Sequence, residues 1–561
     1  MQSTKLLQNE DRKWKHAAAA YVKGTLRRQA EALLPRRDIR EYQNWITQRQ
    51  QIRKALYTRL PYPGLFSILT PVWNGSPIRY LRALAECISS QNQSGASEWV
   101  LLDNGCSNPK LLDCLKEFGE WPWVKLIRAE ENLGITRGLR RCLEEATGRY
   151  VLPVDADDLL HEDALVVIAS AIEQANFPVL LYTDEDKAIG MRSYQPYFKP
   201  DFDPVLLLNS AYIAHLGVID RLKALELGAY SDAAVEGSPD WDLFVRFLMA
   251  GHSAHHISEV VYSWRVHASS TADDSESKSY IASSQRAVLQ RYLDGHPEGG
   301  SFELRQSTLF NGGTHWHFVR KEAPPQPTWS TILLDDSGIT ARSIEEPGSD
   351  NTILMSPAED PKLLAQQLRA VEQHEGFLAF LSCGLRIGSA EWKREALGLF
   401  ALHPETVMIG GNIQSAEGKI AAADLAFNFS DVCGGPNSSR GTNDPGYFGQ
   451  MWKQRSVDAV STRFAVMRLE FFFELAAQLP AGTSLAFMGM WAGAYAAQTS
   501  RRVVYSPFLS GVSDLPANRC ANAEEEALFR QLNQHLLPSG RFYSRVFSEE
   551  RAFVLRDPGL V

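Results

Sequence analysis

The chain reads as an α/β protein built on a parallel sheet with helices on both faces. Three observations predict this. Short apolar runs of strand composition alternate with helix-periodic segments from Phe66 onward. Polar, glycine-bearing loops follow successive strands, at the edge where open α/β sheets bind ligands. One strand, Tyr150-Val-Leu-Pro-Val154, ends abruptly in Asp155-Ala156-Asp157-Asp158. At 561 residues the chain exceeds a single hydrophobic core, so two or three domains are expected.

The elements follow in order. Residues 1–60 read as a basic helical extension, closed by Pro61-Tyr-Pro63-Gly64. Phe66 to Thr70 is a strand and Ile78 to Ile88 a helix. Glu98 to Leu102 and Lys110 to Phe118 repeat the pair, as do Val124 to Ile127 and Ile135 to Ala146. Tyr150 to Val154 is the next strand, followed by an apolar helix between Leu159 and Gln174 and a strand from Val179 to Tyr182. A domain over residues 61–300 closes at the Gly295-to-Gly300 break, and residues 301–328 form a linker ending in Pro324-Pro325-Gln-Pro327. A second domain, residues 329–561, opens on strand-like Ser330 to Leu334 and closes in a helical tail.

Composition narrows the class. The chain is 44% hydrophobic and 22% charged, which is ordinary globular protein. Its seven cysteines form no CxxC pair, which argues for reduced thiols and a cytoplasmic setting. The start carries no apolar signal segment, and Leu485 to Ala497 is too short to span a bilayer. Residues 1–60 hold 14 Lys+Arg against 5 Asp+Glu, so the rest of this −9 chain carries −18. That basic extension (Lys23, Arg27, Arg28, Arg36, Arg37, Arg40) could lie on the anionic inner face of a membrane or pack on the next domain. Nucleic acid is not an expected partner of a mostly acidic protein without a recognition motif.

Four polar loops then define a candidate nucleotide site. Thr70-Pro71-Val-Trp73-Asn74, Asp103-Asn104-Gly105 and Asn132-Leu-Gly134-Ile-Thr136-Arg137 follow three strands, and the Asp155 cluster follows the fourth. Glycine lets backbone approach a base or ribose, and a helix start with a guanidinium suits phosphate. Crowded carboxylates repel unless a divalent cation or nucleotide occupies the site. The competing reading makes Asp157 or Asp158 a helix N-cap, with Asp158 the better candidate for that role.

This arrangement resembles the family 2 glycosyltransferases of GT-A fold, over residues 61–293. The residues that carry the likeness are Thr70-Pro71-Val-Trp73-Asn74, Leu102-Asp103-Asn104-Gly105-Cys106, Asn132-Leu-Gly134, and Ala146-Thr-Gly148-Arg-Tyr150 with Asp155-Ala-Asp157. Tyr182-Thr-Asp-Glu-Asp-Lys187, Phe198-Lys-Pro-Asp201 and Tyr262-Ser-Trp-Arg-Val-His267 look like the branch that assembles bacterial surface polysaccharide of O-antigen or rhamnan type. The resemblance implies a nucleotide-sugar donor, a glycan or lipid-linked glycan acceptor, and Mg²⁺ or Mn²⁺. Thr70, Pro71, Asp103, Asn104, Asn132, Arg137, Asp155, Asp157 and Arg265 would bind the donor, with Asp157 and His267 on the metal. Trp241, Asp242 and Lys199 would face the acceptor. Asp240, in Gly237-Ser-Pro-Asp240-Trp241-Asp242, stands where the family places the general base of an inverting transfer, with Asp242 as runner-up and an N-cap as its structural alternative. Two positions depart from the family pattern, Asn104 for an acidic residue and Arg140 for an asparagine, and they leave donor identity open.

Residues 329–515 resemble the same fold more faintly. Where carboxylates belong, the chain reads Ser382-Cys383-Gly384, and where a base belongs, Met488-Gly489-Met490-Trp491. A catalytically silent copy is expected. The rival readings are a non-catalytic subunit that binds glycan or partner enzymes, and a sugar nucleotidyltransferase, which would want a Gly-rich, Lys/Arg-bearing first loop.

Overall fold

The computed structural model describes residues 36–561 apart from 59–60, 92–94, 96, 191, 267–274, 311–314, 322–326, 336–350, 371–374, 433–434, 514–522 and 538–539. The first domain contains β1 (Phe66–Val72), α2 (Ile78–Gln91), β2 (Ser97–Asn104), α3 (Pro109–Gly119), β3 (Val124–Ala129), α4 (Gly134–Glu145), β4 (Tyr150–Pro153), β5 (Leu159–Leu160) and α5 (Ala164–Gln174). It continues through β6 (Leu180–Ile189), β7 (Arg192–Tyr197), β8 (Gly217–Asp220), α6 (Pro239–Met249), β9 (His255–Arg265) and α7 (Ser275–Gly295). Ahead of them lies α1 (Arg36–Leu56). The strand order is β3-β2-β1-β4-β8-β6-β9-β5, with β7 paired to β6. Strands β1 to β4 run parallel, so their C-terminal ends share one edge.

Strand alternation splits the core between the two faces. Phe66 and Ile68 pack with α2, α3 and α5 through Leu81, Leu115 and Ile168. Leu69, Val100 and Leu102 pack on the other face with Leu139 of α4 and Phe244 of α6. The helix expected directly after the aspartate cluster is delayed. Leu159 and Leu160 instead pair with β9, and α5 begins at Ala164. Asp158 is therefore not its cap.

The expected linker is structured and belongs to the first domain's core. Strands β10 (Phe302–Gln306) and β11 (Trp316–Arg320) form a hairpin whose Phe302, Leu304, Trp316 and Phe318 are buried beside α6 and α7.

The second domain holds β12 (Trp329–Leu334), β13 (Asn351–Met355), α8 (Pro361–Ala370), β14 (Phe377–Ser382), β15 (Arg386–Ile387), α9 (Trp392–Leu402), β16 (Thr406–Gln414) and β17 (Ile420–Ala422). Small strands β18 (Asp424–Leu425), β19 (Arg455–Val457) and β20 (Ala459–Val460) follow. Then come β21 (Phe464–Arg468), α10 (Leu469–Gln478), α11 (Met488–Gln498), β22 (Arg502–Val512) and α12 (Ala523–Leu532). Its sheet order, β13-β12-β14-β21-β16-β22-β15, repeats β2-β1-β4-β8-β6-β9-β5 position by position. The repeat extends to direction, because β21 runs antiparallel to both neighbours as β8 does. It also extends to the hairpin partner, β17 standing for β7.

The two domains are welded by buried polar contacts. Asp203 accepts from the Ser456 amide at 2.7 Å and its hydroxyl at 2.6 Å. Asn209 and Gln454 bond each other twice, at 3.2 Å each. The Tyr447 hydroxyl donates to the Pro196 carbonyl at 2.7 Å and accepts from the Phe198 amide at 2.9 Å.

Of the basic extension, residues 1–35 lie outside the described residues. In α1, Arg49 and Arg53 are turned into the protein: Arg49 pairs with Glu259, and Arg53 with Asp163 at 2.7 Å and the Val260 carbonyl at 2.6 Å. Arg49 also reaches the carbonyls of Pro558 and Val561, at 2.9 and 3.0 Å. Helix α1 is thus a strap between the first domain and the chain's end. Buried cations with three or more acceptors hold such a strap in one register. No helix among the described residues is long and apolar enough to cross a membrane.

Candidate functional site

The loops at the carboxyl edge support one another before they offer anything to a ligand. Thr70 is buried; its hydroxyl donates to the Val154 carbonyl at 2.9 Å and accepts from the Trp99 indole at 3.0 Å. It anchors the strand end that presents Asp155 and has no free hydroxyl for a nucleoside. Pro71 is half-buried, with Gly138 of α4 against it. Asp103 is nearly buried, bonded by the Cys106 amide at 2.8 Å and paired with Arg128 at 3.3 Å. Asn104 clamps two loops together: its amide donates to the Gly134 carbonyl at 3.1 Å and its oxygen accepts from the Leu133 amide at 2.8 Å. One amide hydrogen remains beyond these bonds for the expected contact with a base. Gly105, at φ 68, passes so close to the Glu131–Asn132 backbone that a Cβ would lie 2.4 Å from it.

The start of α4 is also taken. Glu236 accepts from the Ile135 amide at 2.7 Å and the Thr136 amide at 3.0 Å. The phosphate expected at this helix start is replaced by a carboxylate of the protein, since one anion satisfies the orphan amides there. Asn132 accepts from the Gly134 amide at 2.9 Å, and the exposed Arg137 donates to the Leu133 carbonyl at 3.0 Å. Both shape the loop. Glu236 lies far from α4 in sequence, and no local pattern announces it.

The aspartate cluster gathers around a residue that sequence reasoning missed, His215. One ligand atom each from Asp155, Asp158 and His215 lie within 4.8 Å of one another. Asp158 is buried and accepts from the Arg265 amide at 2.8 Å and from the Tyr262 hydroxyl. Its carboxyl is pushed well above the usual range by burial and by Asp155 and Asp157. Asp155 is exposed at its surface, yet its carboxyl is also pushed up, by desolvation in the recess and by Asp157. His215 stacks flat on Tyr262, centroids 4.9 Å apart, and bonds Glu185 at 3.3 Å. Burial works against its protonation, but Glu185, Asp158 and Asp155 outweigh this and lift it to about 10.

Two hard carboxylates and one imidazole so spaced form a donor set that fits Mg²⁺ or Mn²⁺ once the imidazole has given up its proton, and the raised pKa values of Asp155 and Asp158 show the repulsion a cation would relieve. Among the described residues this is the one such group. Asp158 belongs to this group, while Asp157, the expected ligand, is not part of it. His267, the other expected ligand, lies outside the described residues.

Asp240 sits half-buried at the start of α6. Desolvation pushes its carboxyl up to about 6, with Asp155 adding and His215 opposing, so it shares their electrostatic recess. Neither Ser238 nor Asp240 makes a side-chain cap for α6 among the described residues, which removes the structural alternative. Its neighbours are different. Asp242 is fully buried and paired with Arg246 at 2.6 Å and with Arg291. Trp241 is buried, with its indole on the Leu207 carbonyl at 2.7 Å. Both face the core by helical periodicity, so neither meets an acceptor, and Asp242 is not a base. Lys199 is corrected likewise: buried, it holds the carbonyls of Thr183 at 2.9 Å, Ile213 at 2.5 Å and His215, plus Glu185 at 3.2 Å. It shapes the loop that carries His215.

Arg265 has the character expected of an anion clamp. Its guanidinium is 2% exposed, lies 4.2 Å over the Tyr80 ring, and neighbours Asp157 and Asp158. Its Nε and Nη2 are buried and meet no hydrogen-bond acceptor among the described residues. Buried donors left unpaired cost free energy that a bound anion recovers.

A mixed sheet with carboxylates at the parallel-strand edge and a late helix bearing a further aspartate is the arrangement expected of the GT-A fold that the sequence resembles. Residues 67–209 match the model of glycosyl transferase family 2. Over 468 residues the chain is 27% identical to the Sinorhizobium fredii protein y4gI, covering 76% of this chain and 51% of that one. It is 31% identical over 229 residues to the O-antigen biosynthesis protein RfbC of Myxococcus xanthus, covering 40% of this chain and 18% of RfbC. A crystal structure of S. aureus TarS 1–349 in complex with UDP-GlcNAc aligns with TM-score 0.33 and 19% identity, over 41% of this chain and 72% of that one. The chain thus spans about half the length of y4gI and less than a fifth of RfbC.

Proposed function

We propose that the first domain transfers a sugar from a nucleotide-sugar donor to a glycan or lipid-linked glycan of the cell surface, with inversion at the anomeric carbon. The observation that carries this is the cluster of Asp155, Asp158 and His215, with Asp240 near enough for its charge to feel His215 and Asp155. The family 2 match over residues 67–209 and the likeness to RfbC support the substrate class. We assign Mg²⁺ or Mn²⁺ to Asp155, Asp158 and His215. When bound, the cation supplies positive charge against the leaving diphosphate.

The chain's own residues perform the remaining steps. Arg265 offers its two unpaired donors to the diphosphate, and Pro71 and Asp103 edge the nucleoside side. Asp240 accepts the proton of the attacking hydroxyl. The hydroxyl oxygen forms a bond to the anomeric carbon while the carbon–diphosphate bond breaks, its electron pair leaving with the diphosphate. A carboxylate lifted to about 6 is ionised at neutral pH yet basic enough to take that proton. In the second domain the corresponding positions, Ser382-Cys383-Gly384 and Met488-Gly489-Met490, offer no such groups, and we assign it no transfer.

The test is a screen of nucleotide sugars for Mn²⁺- or Mg²⁺-dependent hydrolysis and transfer, with NMR of the product's anomeric configuration. Asp240→Asn is expected to keep nucleotide binding and lose transfer. Full transfer by that variant, or retained configuration, overturns the assignment.

A further inference from the structure

Strands β6 and β9 lie side by side, and their ladder sets Glu185 directly beside Tyr262. Paired residues of adjacent strands share a face of the sheet. On that face both side chains reach the candidate metal group without belonging to it. The Glu185 carboxylate bonds Nδ1 of His215 at 3.3 Å and accepts from the His215 amide at 3.2 Å. With Nδ1 so engaged, Nε2 is the imidazole nitrogen left to offer a lone pair. The Tyr262 hydroxyl donates to Oδ2 of Asp158, while Oδ1 accepts from the Arg265 amide at 2.8 Å. Each carboxylate oxygen has two lone pairs, so both keep one for a cation.

The next pair along the ladder, Asp186 and Ser263, turns to the opposite face and is held there. The Asp186 carboxylate accepts from the Ser263 hydroxyl and, at 2.7 Å, from the Tyr42 hydroxyl of α1. Ser263 also bonds His161 at 3.1 Å. Both strands are thereby fixed from behind, and Tyr262 is fully buried.

The second sheet shows what stands at these positions where the acids are gone. Strand β5 pairs Leu160 with Tyr262, and β15 pairs Ile387 with Gly511. In step with Leu160 and Ile387, Ser382 takes the place of Asp155 and Leu385 that of Asp158. The β16–β22 ladder sets Ile413 beside Gly511, as the β6–β9 ladder sets Glu185 beside Tyr262. Leu385 fills the vacated space: a Cβ on Gly511 would lie 2.8 Å from its side chain. The same sheet therefore closes with Ile413 and Gly511, and Glu185 and Tyr262 go with the acids rather than with the fold.

We propose that Glu185 and Tyr262 are the positioning residues of the metal group, Glu185 presenting Nε2 of His215 and Tyr262 fixing the carboxylate of Asp158. This rests on the metal assignment made above and concerns how tightly the ion is held.

The probe is Mn²⁺ alone, titrated into the full chain and read as free Mn²⁺ by electron paramagnetic resonance. Tyr262→Phe keeps the ring against His215 and deletes only the hydroxyl; it is expected to raise the Kd for Mn²⁺ about tenfold. Glu185→Gln tests the other member, with an expected rise of about 10- to 100-fold. Glu185 also neutralises the buried Lys199, so where that variant fails to fold, Tyr262→Phe alone decides. The control is Tyr505→Phe, which removes a buried hydroxyl from β22 of the second sheet, bonded to the Met451 carbonyl at 3.0 Å, and should leave the Kd unchanged. An unchanged Kd in Tyr262→Phe overturns the proposal, as does an equal rise in Tyr505→Phe. A wild type that binds no Mn²⁺ overturns it together with the metal assignment. If Mn²⁺ binding depends on Tyr262 but no nucleotide sugar is hydrolysed or transferred, the transferase reading fails and the positioning pair stands.

Discussion

Two sheets of one topology lie side by side in this protein, and they differ where their central strands end. Strand β4 runs into Asp155-Ala156-Asp157-Asp158, with His215 and Asp240 gathered opposite. Strand β14, at the same place in its sheet, runs into Ser382-Cys383-Gly384, and α11 begins with Met488 where α6 carries Asp240. The cores were kept: Ile332, Leu378 and Phe380 are as buried as Ile68, Val151 and Leu152. Packing thus follows the apolar pattern, whereas the proposed chemistry rests on a few carboxylates at the sheet's edge. Asp158 in β4's loop and Asp240 on α6 are held where their ionised forms are disfavoured, as their raised pKa values show.

The sharpest way to break the comparison is to remove the acids from one side only. Asp240→Asn is expected to lower transfer by about 100- to 10,000-fold, measured as kcat on any accepted donor. Asp158→Asn should match it in size, while Cys383→Ala leaves kcat unchanged; a deficit with Cys383→Ala would show that the second sheet takes part. Next, Arg265→Ala should raise the Kd for the nucleotide diphosphate by about 10- to 100-fold, from loss of a charge-assisted contact, read by calorimetry.

The pH profile follows from Asp240. Its base form is lost as pH falls through about 6, so log(kcat/KM) should decline with unit slope below that value. Stability runs the other way. With the folded pKa raised above the carboxyl's ordinary value of 3.8, the penalty is absent below that pH and grows as pH rises toward about 6. Asp240→Asn should therefore stabilise the protein near neutral pH by about 1 kcal/mol, or about 1 °C in Tm. An unchanged or lower Tm would place the carboxylate in water. The smallest effect concerns neither sheet's chemistry: Arg53→Ala leaves Asp163 without its partner and Glu259 with Arg49 alone, and should lower stability by roughly 3 kcal/mol with kcat kept once folded.

Several parts of the candidate site correspond to local patterns in the sequence. The carboxyl-edge loops, the aspartate run after β4, and Asp240 at a helix start each occupy a few consecutive residues. Arg265 does so too, at the end of a strand that closes on the same edge. The misses have one cause. His215 sits in an irregular turn, and only Lys199 and Glu185, both distant in sequence, hold it beside Asp155. Trp241 and Asp242 adjoin a functional residue, but helical rotation turns them into the core. Thr70 carries a side chain fit to bind a ligand and spends its hydrogen bonds on its neighbours.

The sequence by itself determined the α/β class, the repetition of the sheet, and the loss of acids from the second copy. All three are written in apolar periodicity and in residue type at strand ends, which are local properties. Tertiary structure alone decided which acids face one another. It made Asp158 rather than Asp157 the partner of Asp155 and His215, gave α4's amides to Glu236, and set Tyr262 against Asp158 and His215. Those outcomes depend on side-chain direction and on contacts between distant segments, which exist only once the chain has closed on itself.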